Sequence, residues 1–185
     1  MTRITAALLL MLASFSAANG GVTDLANIQS VTESDWKLED IAKSTGFTIS
    51  GKSVSDHEFG MLKHSNICDD DELYLIWSTD TPDVWDLPGK RLNIVANFDG
   101  TSVDLPLEVV SIKPTSRARN LVILAHLFPN NDMISLIGRS HQVTVSMAQD
   151  SIYGAYFDVA QDTFTLSGFR EARAQAQWAC DRKSS

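Results

Sequence analysis

The chain carries only two cysteines and four histidines in 185 residues, and its acids outnumber its bases, 23 Asp and Glu against 15 Lys and Arg. Each shortage closes a class of function. A formal charge of −8 offers no basic footprint for nucleic acid, whose binding rests on neutralising phosphates. DNA, RNA and anionic lipid are therefore not expected partners. A membrane helix needs about 20 predominantly apolar residues. The run Ile4 to Phe15 is too short for that, and polar or charged residues interrupt every later one, so stable membrane insertion is not expected. His57, His64, His126 and His141 fall in neither H-E-x-x-H nor H-x-H spacing. The weak metal candidates are His57 and His64 meeting Asp69 or Asp70 across a hairpin; the expectation is no metal and no cofactor. There is no G-x-S-x-G elbow, and S-x-x-K occurs only in surface contexts such as Ser34 to Lys37. Among the acids nothing picks out a glycosidase-type pair. No catalytic residue is assigned.

What is present begins with a three-part leader. Arg3 precedes the apolar run, which ends in the small residues Ser16, Ala17 and Ala18. That is the layout of a secretory signal peptide with cleavage after Ala18, and no Cys follows it to take a lipid. The expected organisation is a signal peptide at 1–18, a partly helical or disordered segment at 19–45, and a single β-rich domain at 46–185. Localisation is expected to be periplasmic or secreted. In such a compartment an even cysteine count reads as a disulfide, and Cys68 and Cys180 allow one connectivity.

From Gly46 onward, short runs rich in β-branched and aromatic residues alternate with turn chemistry. FTIS, ELYLIWS, RLNIVANF, SVDLPLEVVSI, NLVILAHLF, HQVTVSMA, AYFDV and TFTLS read as strands. DTPD at 80–83, LPGK at 87–90, FDGT at 98–101 and KPTS at 113–116 read as turns. Strands this short without long intervening helices predict a mainly β fold, an antiparallel sheet or sandwich. A short helix near 131–138 is capped by Asn130 or Asn131. A C-terminal helix near 168–182 sets Phe169, Ala172, Ala176 and Cys180 on one apolar stripe, which turns Cys180 toward the body of the protein. In the polar segment before Gly46, Thr32 or Ser34 could cap a further short helix anchored by Trp36 and Ile41.

Two motifs invite a chemical reading. GFTISGKS, Gly46 to Ser53, spells the G-x-x-x-x-G-K-[ST] of a phosphate-binding P-loop. That loop needs a buried strand before it and a helix after it. Here LEDIAKST precedes, and Phe47 and Ile49 alternate like a strand, so the expectation is a hairpin turning tightly at Gly51-Lys52. CDDDE, Cys68 to Glu72, lacks the alternation and the glycine of a Ca²⁺ loop and reads as a solvated turn.

The same helical arithmetic places Trp178 opposite Cys180, where it is either a partner contact or covered by another segment. Trp85, with Pro82 and Pro88 in the DTPDVWDLPG loop, forms a second candidate binding surface.

The C-terminal run Phe164-Thr-Leu-Ser-Gly168-Phe169, with Ala172 and a closing Cys180, resembles the ends of small exported proteins of Gram-negative bacteria. Two groups share that texture over roughly the last 60 residues: the invasion-associated locus B family and an accessory lipoprotein-like component of type VI secretion. The resemblance implies a periplasmic β-rich domain with an accessory or virulence-linked role and no catalytic residues to carry over. The functional expectation is an exported binding protein that engages another envelope or secreted protein or a cell-wall ligand. Two rivals are an immunity or inhibitor protein directed at a secreted toxin or hydrolase, and an envelope hydrolase.

Overall fold

The computed structural model describes residues 35–41, 44–147 and 152–184. They belong to one compact unit, Thr32–Ser185. The expected signal peptide at 1–18 and most of the expected N-terminal segment lie outside the described residues.

The described chain forms nine strands and two α-helices. In chain order these are β1 (Lys37–Ile41), β2 (Ser44–Ser50), β3 (Glu58–His64), β4 (Ile67–Thr79), β5 (Arg91–Phe98), β6 (Thr101–Pro114), β7 (Asn120–Leu127), α1 (Asn131–Arg139), β8 (Gln142–Ser146), β9 (Gln161–Thr165) and α2 (Phe169–Lys183). The strands make one antiparallel sheet in the order β1-β2-β3-β4-β7-β6-β5-β8-β9. Of the two architectures open to the sequence, the single sheet is the one present. It curls, so that its inner face packs against itself much as the two layers of a sandwich do.

Irregular register helps the sheet bend. Pairing shifts between Leu62 and His64 in β3, between Leu73 and Leu75 in β4, and between Val109 and Ser111 in β6. Such bulges increase local twist and bend the strand that carries them. Alternation along the strands sends Phe47, Ile49, Phe59, Met61, Leu73, Leu75, Trp77, Leu107, Ile94 and Phe164 into one interior. The open side of the curl is closed by α2, whose Phe169, Ala172, Ala176 and Cys180 are all buried. Phe169 meets Trp36 and Phe47, with ring centroids 5.6 and 5.8 Å away. Gly168 precedes the helix at φ 83°, a left-handed conformation that favours glycine.

Both predicted helices are present. Asn130 caps α1, its side chain accepting from the Met133 N–H at 2.9 Å. Several local expectations are corrected. The residues after Trp36 form strand β1 and not a helix, pairing from Lys37↔Thr48 to Ile41↔Ser44. Backbone pairing to β2 and the docking of Trp36 on Phe47 outweigh a weak helical pattern. The acidic run 68–72 is part of β4 and not a turn, because cations cross to it from β3 and α2. AYFDV is not a strand either. Gly154–Tyr156 is a 3-10 turn, and the carbonyls of Tyr156 and Val159 accept from Thr79 Oγ1 and Trp77 Nε1.

GFTISGKS is a strand and loop. Gly46 pairs with Leu62, while Phe47 and Ile49 are buried as expected. The turn is wider than Gly51-Lys52: the loop runs to His57, closed by Gly51 N–H donating to His57 O at 2.8 Å. A strand, β3, follows where a P-loop would have a helix.

Candidate functional site

On the outer face of the sheet, at the end of β3, a row of polar side chains crosses five strands. Ser44 and His64 are directly opposed in the β2–β3 register. Ser44 Oγ lies 2.9 Å from His64 Nδ1, and His64 Nε2 lies 2.5 Å from Glu72 Oε2 on β4. The other oxygen of Glu72 accepts the backbone N–H of His126 at 2.9 Å. His126 Nδ1 stands 3.7 Å from Glu108 Oε2 on β6. His126 has φ 68°, where a side chain other than glycine costs about 1–3 kcal/mol. This is the stretch where the β4–β7 register shifts, and the shift aims the His126 N–H at the carboxylate. Glu72 is buried, whereas the His64 side chain is 31 % exposed. From α2, Lys183 Nζ donates to the Ser44 carbonyl at 3.0 Å and pairs with Asp40 at 2.8 Å.

A second network sits at the other end of β3. His57 is fully buried; its Nδ1 is 3.0 Å from Asp162 Oδ2 on β9 and its Nε2 is 3.1 Å from the Ser78 carbonyl. Asp162 also accepts the N–H groups of Ser53 and Val54 from the β2–β3 loop, at 2.9 and 3.0 Å, and that of Thr163 at 2.7 Å. Burial pushes the Asp162 carboxyl up, but those three amides outweigh it and hold it below the usual range. Burial also pushes the His57 imidazole down, against the opposing pull of Ser78 and Asp162. Arg119 completes the network, donating to Ser78 Oγ at 2.7 Å and to both oxygens of Asp158. With no solvent access to His57, this network fastens β9 to the β2–β3 loop.

The histidine metal candidates do not converge. His57 precedes β3 and His64 ends it, roughly 23 Å apart at about 3.3 Å per residue. Asp69 and Asp70 are exposed. Among the described residues no group of three His, Cys, Asp or Glu is placed to hold a metal ion.

Cys68 and Cys180 are joined, with Cα atoms 5.8 Å apart. Beside the bridge, Asp71 lies between Lys63 Nζ at 3.0 Å and Arg173, whose Nε and Nη2 approach it at 2.8 and 2.7 Å. Lys63 is buried and donates as well to the Cys68 carbonyl. These contacts tie α2 to β3 and β4. Two residues before Cys180 is accounted for by the stripe, Trp178 turns outward, 50 % exposed, with the Arg182 guanidinium carbon 3.4 Å from its ring centroid.

Trp85 is also exposed, on the 3-10 turn Pro82–Asp86, where buried Val84 and Leu87 pin the backbone; Pro82 and Pro88 are exposed beside it. The two tryptophans do not share a surface. Trp85 follows the Thr79 end of β4, whereas Trp178 stands near the Cys68 end.

No family model, curated protein or solved structure matches the chain. Sequence reasoning reaches Glu72 only as the end of an acidic run read as a solvated turn, and misses Ser44, Asp162, Arg119 and Asp158. Ser44 and Glu72 lie 20 and 8 residues from His64, a separation set by strand register and not by any local motif. Asp162 lies 105 residues from His57. The signal that was available is the polar residue at the inward position of the otherwise apolar alternation in DTFTL, where Asp162 precedes Phe164 and Leu166.

Proposed function

We propose that the protein is an exported envelope accessory protein that binds another envelope or secreted protein through the C-terminal half of α2. The observation that carries this reading is Trp178, half exposed beneath the Arg182 guanidinium on a helix held by a disulfide and two sets of ion pairs. Tryptophan and arginine are the residues most enriched at binding hot spots, and a surface that does not reorganise loses less entropy on binding. Export is supported by the leader and by the disulfide, which persists in oxidising compartments. The C-terminal resemblance to invasion-associated and type VI secretion accessory proteins points the same way.

The test is capture of partners from periplasmic extract of a Gram-negative host by the purified protein and by Trp178→Ala and Arg182→Ala. The expected result is a protein retained by the wild type and lost with either variant while thermal stability is unchanged. Equal capture by all three overturns the assignment of α2. The formal charge of −8 supports the inhibitor reading too; a captured basic hydrolase whose activity falls on binding would decide for it.

A further inference from the structure

We propose that Ser44, His64 and Glu72 form an acyl-accepting site that hydrolyses small acyl esters. A serine nucleophile is recognised by geometry: hydroxyl and base within hydrogen-bond reach, and a third group orienting the base. Both relations hold here. Ser44 Oγ is 2.9 Å from His64 Nδ1, and His64 Nε2 is 2.5 Å from Glu72 Oε2. Glu72 is in turn held by the His126 N–H at 2.9 Å, so both of its oxygens are engaged. A Glu72 carboxylate beside Nε2 places the imidazole proton there and leaves the Nδ1 lone pair facing the Ser44 hydroxyl. Lys183, itself paired with Asp40 at 2.8 Å, donates to the Ser44 carbonyl at 3.0 Å and so fixes the nucleophile's backbone. Of the three side chains His64 alone is substantially exposed, at 31 %, while Ser44 and Glu72 are buried, so an ester would reach Ser44 Oγ past His64. Access that narrow suits a short acyl group.

The reaction balances within these groups. Ser44 Oγ attacks the ester carbonyl carbon and its proton passes to His64 Nδ1. The bond from that carbon to the alcohol oxygen breaks, and the leaving alcohol takes the proton from His64. Water then repeats the sequence on the acylated serine, releasing the carboxylic acid and restoring Ser44. Ser44 and His64 are the catalytic residues; Glu72 is a positioning residue. The proposal rests on side chains separate from Trp178 and stands or falls independently of partner binding.

The test uses the purified full chain with 4-nitrophenyl acetate as substrate and a fluorophosphonate as a covalent probe. Expected are hydrolysis above the buffer rate and a single phosphonate adduct mapped to the peptide containing Ser44. Ser44→Ala should abolish both, and His64→Gln should slow hydrolysis by at least about 100-fold. Glu72→Gln should lower kcat by about 100-fold with KM unchanged, a split that a purely structural role would not produce. Absence of an adduct on wild-type Ser44, or hydrolysis unchanged in Ser44→Ala, overturns the proposal. The wild-type adduct decides the matter even if a variant fails to fold.

Discussion

His57 lies flat against Trp77, ring centroids 3.9 Å apart and planes 21° from parallel, with its two nitrogens facing the Asp162 carboxylate and the Ser78 carbonyl. A hydrogen-bonded imidazole sealed inside the sheet in this way makes folding depend on protonation.

The sign follows from the direction of each shift. Burial holds folded His57 below its ordinary 6.5. As pH falls from about 6.5 toward that lower value, the unfolded chain takes up a proton that the folded chain refuses, and stability drops. Asp162, held below the usual carboxylate range, contributes stability that is present above that range and lost as pH falls through its folded value. Glu58 acts in the opposite sense, since burial, with Glu39 nearby, raises it. Comparing wild type with His57→Asn cancels the contributions of carboxyls that do not touch His57, such as Glu58. The wild-type melting temperature should fall between pH 7 and pH 5 more steeply than that of His57→Asn; parallel curves would contradict the assignment.

Removing Asp162 strands four donors at once, the N–H groups of Ser53, Val54 and Thr163 and the His57 ring. Each buried donor left unpaired costs about 1–3 kcal/mol, so the loss should be at least about 3 kcal/mol. Urea unfolding of Asp162→Ala should show that loss, while Asp69→Ala, at an exposed position, should differ from wild type by less than about 0.5 kcal/mol.

The Cys68–Cys180 bridge closes a loop spanning 112 positions. In the chain-entropy treatment that constraint stabilises the fold by about 4–5 kcal/mol. The double variant Cys68→Ser/Cys180→Ser should lose most of this in denaturant titration, and a reducing agent should shift wild type toward the variant without shifting the variant.

Gly60 lies beneath Tyr74: a Cβ at Gly60 would sit 2.5 Å from Tyr74 Cζ. Tyr74 is itself buried, and that burial pushes its phenol pKa up. Gly60→Ala should therefore destabilise by about 1–3 kcal/mol through overpacking. In a double-mutant cycle with Tyr74→Leu, which removes the ring, the two costs should fail to add, with a coupling of at least about 0.5 kcal/mol. Additive costs would place the clash elsewhere.

The elements that were legible are those written in a local period. The stripe Phe169, Ala172, Ala176, Cys180 identified the buried face of α2, and with it the partner of Cys68, because helical geometry repeats every 3.6 residues regardless of context. RLNIVANF became β5, and its alternation gave its facing. Lys37–Ile41 was misread as helical because a short charged edge strand has little pattern of its own; it exists where β2 offers an unpaired edge.

The chain by itself determined a mainly β protein with two helices, the inward face of the last helix and the disulfide, since these follow from side-chain period and from two cysteines with one way to pair. Tertiary structure alone decided that the strands form one curled sheet, and that His57 belongs with Asp162 and His64 with Ser44 and Glu72. Those pairings depend on register and on bulges, which place residues far apart in sequence within 3 Å, and no local propensity encodes that distance. Register is also what sets Ser44 opposite His64 and brings Glu72 alongside the end of β3.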